Sequence, residues 1–292
     1  MYFCKLIVFV FSMAFSNSLR HRIIGGEVAV HGDIPYIVSL QWHLPSNSLN
    51  VQSIHVCGGS IISKYWILTA GHCLELPSNI NQIAILTIIA GKINLEEHEH
   101  SEQRIFAQST FKHYGYEENV NTGTNDIALI KLSKSLKWTE WVAPIELPQS
   151  GSEPTGSGIL SGWGATTLIN DTYNTSVLLH SKSLPIIERS VCNAAVEAVA
   201  LEDEIELKDT VFETDICTGP LTGGFSLCDG DSGGPLTSVD SRGKLVLIGV
   251  ATWAMLPCGR RGAPSVYVRV SLFIDWIRTT ISDNTFFRYG TF

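Results

Sequence analysis

The chain has 292 residues, of which 16% are charged and 45% hydrophobic, and a formal net charge of −8. That composition excludes a disordered chain, and the length admits one large all-β domain or two smaller ones around a sizeable core. The acidic balance leaves no footprint for nucleic acid or for an anionic membrane surface.

At the N-terminus, Lys5 is followed by the apolar run LIVFVFSMAF. The run is too short to span a bilayer but suits the core of a secretory signal peptide. Ala14 and Ser16 are small residues at A-x-S spacing, so residues 1–16 read as a leader cleaved after Ser16. No later stretch reaches the ~18 apolar residues of a membrane helix. Cys4 leaves with the leader. Cys57, Cys73, Cys192, Cys217, Cys228 and Cys258 remain, an even count that in a secreted chain favours three disulfides. Spacing alone does not choose among the possible pairings, and no C-x-x-C or H-x-x-x-H pattern accompanies them to favour zinc. Asn170 (N-D-T) and Asn174 (N-T-S) are N-glycosylation acceptors if the chain is secreted.

Short apolar or alternating runs broken by Gly, Pro, Asn and Ser dominate the remainder of the chain. YIVSLQW (36–42), GGSIIS (58–63), IALIKL (127–132), GILSGW (158–163), KLVLIGVATW (244–253) and SVYVRV (265–270) read as strands. Many short strands in one long chain point to barrels or sandwiches. Two stretches read as helical: an Ala- and Glu-rich one near 189–208, and SLFIDWIRTTI (271–281). In the second, Leu272, Phe273, Trp276, Ile277 and Ile281 form one apolar stripe. Residues 284–292 form a polar-aromatic tail.

The stretch FSLCDGDSGGPL (225–236) bears on chemistry. A serine nucleophile needs a general base, usually His, and that His needs a carboxylate to hold its tautomer. It also needs backbone N–H donors converging on the developing oxyanion. Ser232 stands between Gly230 and the pair Gly233–Gly234, a tight turn in which the N–H groups of Gly230 and Ser232 could face one point. Alone, such a turn is equally a plain surface loop. LTAGHC (68–73) adds His72 after an apolar strand and TNDIALIKL (124–132) adds Asp126 at the mouth of another, while RIIGG (22–26) sets a basic residue before Ile-Ile-Gly-Gly.

Taken together and in this order, the four motifs resemble the trypsin-like (chymotrypsin-family) serine proteases, over about residues 22–283. The resemblance implies an all-β fold of two packed six-stranded antiparallel β-barrels with a C-terminal helix. It implies His72 as general base, Asp126 as its orienting carboxylate, Ser232 as nucleophile, and the Gly230 and Ser232 amides as oxyanion hole. It implies the disulfides Cys57–Cys73, Cys192–Cys217 and Cys228–Cys258, and a Thr252 standing where relatives often place a Ser hydrogen-bonded to the catalytic Asp. Residues 17–22 become an activation segment. Cleavage after Arg22 frees the Ile23 amino group to pair with Asp231 inside the protease domain, 23–283. The implied partners are protein or peptide substrates, an activating protease and protein protease inhibitors, with no nucleic acid, membrane, cofactor or metal. The implied protein is a secreted, extracellular monomer.

Where trypsin-like members carry an Asp at the floor of the primary pocket, six residues before the nucleophile, this chain has Ser226. With no floor carboxylate there is no charge-assisted bond to Arg or Lys. Ala254 after Trp253, and Ser265 after Pro264, replace the usual glycines and narrow the slot. The pocket therefore reads as uncharged and partly narrowed, elastase-like or chymotrypsin-like, with Asp229 at its rim. The segment GKINLEEHEHSEQ (91–103) resembles the family's calcium loop, but Lys92 stands where calcium binders have Glu, so a solvated loop is expected in spite of Glu99 and Glu102. The acids between Cys192 and Cys217 either rim the cleft or decorate the surface. The alternative reading is a catalytically weak or inactive homologue serving as a binding or adaptor module. The narrowed pocket favours it; the presence of His72, Asp126 and Ser232 speaks against it.

Overall fold

The computed structural model describes residues 26–44, 52–76, 84–117, 123–169, 172–205, 207 and 210–285. Arg22, Ile23 and Asn170, and with them the leader and activation segment, lie outside the described residues.

The first six-stranded unit contains β2 (Ile37–Leu44), β3 (Gln52–Ser63), β4 (Trp66–Thr69), β5 (Ile85–Ala90), β6 (Gln103–Lys112) and β7 (Ala128–Leu132). They run in the order β2-β3-β4-β7-β6-β5, and the β2–β5 pairing closes the barrel. The second unit contains β8 (Ser157–Gly162), β11 (His180–Ile187), β12 (Asp215–Thr218), β13 (Pro235–Val239), β14 (Leu245–Ala254) and β15 (Ser265–Arg269). Its order is β8-β11-β12-β15-β14-β13, closed by β13–β8, and the short β1 (Glu27–Val28) adds to β11. Every pairing among these strands is antiparallel. A hairpin of β9 (Ala165–Ile169) and β10 (Thr172–Thr175) carries Asn174. Two closed barrels leave few free strand edges, which is how so many short strands coexist in one chain.

The strands read from the sequence all form. The sequence runs with both faces apolar are those closed inside: in β5 all but Ile85 are buried, and in β7 all but Lys131. Both helices are shifted from expectation. α1 (Arg189–Glu202) stops short of 208. α2 (Ile274–Thr285) starts late, because Val270–Leu272 takes a tighter 3-10 turn that turns Leu272 outward at 40% exposure. Phe273, Ile274 and Ile277 are buried, and Trp276 and Ile281 pack beside them, so α2 seals the same core as the first barrel.

The three disulfides join the expected cysteines. Cys57–Cys73 ties β3 to the 3-10 turn His72–Leu74, Cys192–Cys217 ties α1 to β12, and Cys228–Cys258 ties the loop before Ser232 to the loop after β14. Each confines a loop that would otherwise carry large conformational entropy.

Candidate active site

His72 opens the 3-10 turn that follows β4. Asp126 precedes β7, aimed by a left-handed residue, Asn125 (φ 56°), whose side-chain amide donates to the Gly115 carbonyl at 3.0 Å. Asn is among the few side chains that tolerate this conformation. Asp126 is buried, and both its oxygens point at His72. Oδ1 accepts the His72 backbone N–H at 2.9 Å and Oδ2 lies 2.6 Å from Nδ1. A carboxylate at Nδ1 holds the proton there and leaves Nε2 as the basic nitrogen. Burial acts to lower the His72 pKa, but the Asp126 hydrogen bond and charge outweigh it, and the pKa lies above its ordinary value.

His72 and Ser232 line one cleft of about 300 Å³. Gly233 (φ 74°) shapes the turn around Ser232, and a Cβ there would stand 2.2 Å from Thr69 Oγ1. The loop is pressed against β3: the Gly58 N–H donates to the Ser232 carbonyl at 2.7 Å, and a Cβ on Gly58 would meet Gly234 Cα at 2.8 Å. The Asp231, Gly233 and Gly234 amides are spent on the carbonyls of Cys228, Ala251 and Asp231. Among the described residues the Gly230 and Ser232 amides have no acceptor, which leaves two donors for an incoming oxygen. The sulfurs near His72 belong to the Cys57–Cys73 disulfide and offer no thiolate to a metal.

One residue tied into this geometry is not evident from the sequence motifs. His55, on β3, reaches across to the second barrel, with Nε2 3.0 Å from the Gly230 carbonyl and Nδ1 2.8 Å from Ser39 Oγ. Ser39 Oγ also accepts from Gln41 Nε2 at 3.2 Å, so its hydroxyl proton goes to Nδ1 and Nε2–H donates to Gly230. Burial pushes the His55 pKa down to about 4, against the Gly230 carbonyl, so the ring is neutral at pH 7 and this tautomer persists. The only local trace in the sequence is a histidine two residues before Cys57.

Asp231 is fully buried between Gly162 and Gly164, where a Cβ would come within 2.1 Å of its oxygens. Oδ1 accepts from Gly164 N–H at 2.8 Å and Oδ2 from Cys228 N–H at 3.0 Å. No cation among the described residues meets it.

Ser226 is buried and its hydroxyl is satisfied within the protein, donating to the Leu227 carbonyl at 2.8 Å and accepting from Gly259 N–H at 2.7 Å. Ser265 Oγ accepts the Leu227 N–H at 3.0 Å. Trp253 and Ala254 end β14 half-buried, and Asp229 is exposed. Thr252 departs from the family pattern: its hydroxyl donates to the Val266 carbonyl at 2.8 Å, not to Asp126. The segment 91–103 is not simply solvated. The Lys92 ammonium is buried inside it, 2.7 Å from Glu102 Oε2 and bonded to the Glu97 carbonyl, while Glu99 accepts the amides of Ile93 and Asn94. Of the acids after Cys192, Glu202 and Asp203 pair with Arg260 at 2.8 and 2.6 Å.

A family model described as Trypsin matches residues 23–277. The chain is a member of the trypsin family. It is 36% identical to Trypsin-1 of Astacus astacus over 88% of this chain and 98% of that one. It is 33% and 32% identical to Trypsin I-P1 and Trypsin I-P38 of Gallus gallus, over 97% of this chain and all of each relative. This trypsin-family chain is a serine-type endopeptidase that acts on protein substrates.

Proposed function

We propose that peptide hydrolysis here runs through Ser232, His72 and Asp126, with the amides of Gly230 and Ser232 as the oxyanion hole. The observation that carries the assignment is the 2.6 Å contact between His72 Nδ1 and Asp126 in the cleft shared with Ser232. Ser232 Oγ attacks the scissile carbonyl and passes its proton to His72 Nε2. The carbonyl oxygen becomes an oxyanion between the two free amides. His72 then returns the proton to the departing amine, leaving an acyl-enzyme. Water repeats the cycle with His72 as base and releases the acid.

The finer reading has three parts. The chain is secreted after loss of residues 1–16, in keeping with its three disulfides, with Asn170 and Asn174 as glycan acceptors. It is a zymogen in which cleavage after Arg22 supplies the Ile23 ammonium as partner to the buried Asp231, which meets no cation among the described residues. Its primary pocket is uncharged, with the Ser226 hydroxyl internally bonded and Ser265 and Ala254 in place of glycine, so small or medium apolar or aromatic side chains are taken before Arg or Lys. The A. astacus and G. gallus relatives are named trypsins; Ser226 separates this chain from a basic specificity. Arg22 is then a poor self-cleavage site, and activation falls to a separate protease.

The test is labelling by a covalent serine-hydrolase probe after cleavage at Arg22, followed by a peptide library varied on the acyl side. Labelling that vanishes in Ser232→Ala is expected. Undiminished labelling of that variant would refute the nucleophile, and dominant cleavage after Arg or Lys would refute the pocket.

A further inference from the structure

The cleft that contains His72 and Ser232 is walled by Trp42, Val56 and the Cys57–Cys73 disulfide, with Glu75 and Asp229 at its border. Trp42, Val56 and Cys57 lie on β2 and β3, and Glu75 ends the His72–Leu74 turn, so this wall belongs to the first barrel. The pocket residues Ser226, Trp253, Ala254 and Ser265 come from the second barrel and its loops, and none of them lines this cleft. A peptide whose acyl-side residue enters the second-barrel pocket crosses Ser232 and lays its amine-side residues along the first-barrel wall.

The cleft carries two carboxylates, Glu75 from the first barrel and Asp229 from the loop before Ser232, and among the described residues no lysine or arginine lines it. Asp229 is exposed and has no ion-pair partner among the described residues. The Glu75 side chain is 34% exposed; its Oε1 accepts from Tyr116 OH at 2.8 Å and lies 3.4 Å from Lys112 Nζ. Lys112 therefore offsets part of one negative charge, at the long end of ion-pair range, and leaves the other untouched.

We propose that the amine side of the cleft selects lysine or arginine at the first two positions after the cut bond and rejects aspartate and glutamate there. The inference rests on the endopeptidase reading above and concerns the leaving half of the substrate alone. A long basic side chain can lay its methylene stem on Val56 and Trp42 while its charged head reaches a carboxylate. Each part-exposed charge contact changes a rate by a factor of about three, so two of them separate lysine from glutamate by about tenfold in kcat/KM.

The experiment uses Arg22-cleaved enzyme and peptides with one fixed, well-accepted acyl half. The two positions after the cut carry Lys, Ala or Glu in turn. Expected is Lys above Ala above Glu, spanning about tenfold at low salt and shrinking as the Debye length falls to about 3 Å near 1 M. Glu75→Gln and Asp229→Asn should each narrow the Lys-to-Glu ratio about threefold, and Glu75→Gln should leave the acyl-side preference unchanged. The ratio at one pH cancels the influence of Glu75 on His72. A flat or reversed ranking by enzyme that cuts these peptides would overturn the proposal alone, as would a ranking untouched by both substitutions. Failure to cut any peptide would overturn the endopeptidase reading with it.

Discussion

Asp231 links the proposed activation step to a measurable pH dependence. Burial pushes its carboxyl up to about 7, against the Gly164 and Cys228 amides that bond it, from an ordinary 3.8. While it is unpaired, the folded chain keeps a proton that the unfolded chain has already released. Stability therefore falls as pH rises from about 4 to about 7 and stays low above that. The whole gap corresponds to about 4 kcal/mol, and the part between about pH 5 and about pH 8 to about 2–3 kcal/mol. In a domain of this size that is a difference of about 5–10 °C in Tm. The uncleavable Arg22→Gln chain should lose that much more stability between the two pH values than the same chain carrying Asp231→Asn. The asparagine amide meets one backbone N–H donor unfavourably, but that cost does not vary with pH, so the comparison is between slopes. After cleavage of the wild-type chain the Ile23 ammonium should abolish the excess slope. Equal slopes in the two uncleaved chains would show that Asp231 already has a cationic partner, and the activation reasoning would fail.

Asp126→Asn should lower kcat on the order of 10⁴ and move the acidic limb of the pH–rate profile down, since the burial of His72 is then opposed by the Glu75 charge without the Asp126 hydrogen bond and charge; a limb that stays put would refute the assigned partner. His55→Ala removes the donor that holds the Gly230 carbonyl and should reduce kcat up to about 100-fold with little change in KM, measured by steady-state kinetics. Lys92→Ala leaves the buried Glu102 carboxylate with only Arg104 and His98 and should cost about 2 kcal/mol in denaturant unfolding. Calcium or a chelator should leave the wild-type Tm unchanged, because the Lys92 ammonium already occupies the interior of the loop. Glu102 is desolvated, yet its bonds to Arg104 and Lys92 hold its pKa down at about 2, so its stabilisation is present above the ordinary 4.5 and lost as pH falls through about 2.

The parts of the molecule legible in the sequence are those that depend on near neighbours. β7 and β14 announce themselves by apolar runs between turn residues, and His72, Asp126 and Ser232 by short motifs whose glycines and cysteines have local work. Element ends are less visible. Nothing in SLFIDWIRTTI favours a helix starting at Ile274 over Ser271; the 3-10 turn at Val270–Leu272 is set by packing of Val270 and Phe273 into the core. In the sequence Lys92 reads as the loss of a calcium ligand. Its gain, an internal cation for Glu102 ten residues on, requires the loop to close. Thr252 matches a family position, but its hydroxyl finds a nearer acceptor in the paired strand β15.

The least legible part is the contact between barrels. His72 and Asp126 belong to the first barrel, while Ser232 and the expected pocket residues belong to the second, and each of the three disulfides stays within its own half. Among the described residues, no covalent link other than the chain itself sets the distance from His72 to Ser232. What sets it, in the described residues, is close contact between the two barrels beside the site. Gly58 donates to the Ser232 carbonyl, Gly233 fits against Thr69 and Gly58, and His55 grips the Gly230 carbonyl. Glycines at 58 and 233 allow the two backbones to close to hydrogen-bonding distance, and a neutral histidine adds a side-chain tie across the gap. The Gly230 and Ser232 amides, proposed as the oxyanion hole, are thus held from the first barrel although they sit on the second. Substitutions at Gly58 or His55 should therefore impair turnover while leaving the His72–Asp126 pair intact, a separation that no motif around Ser232 reveals.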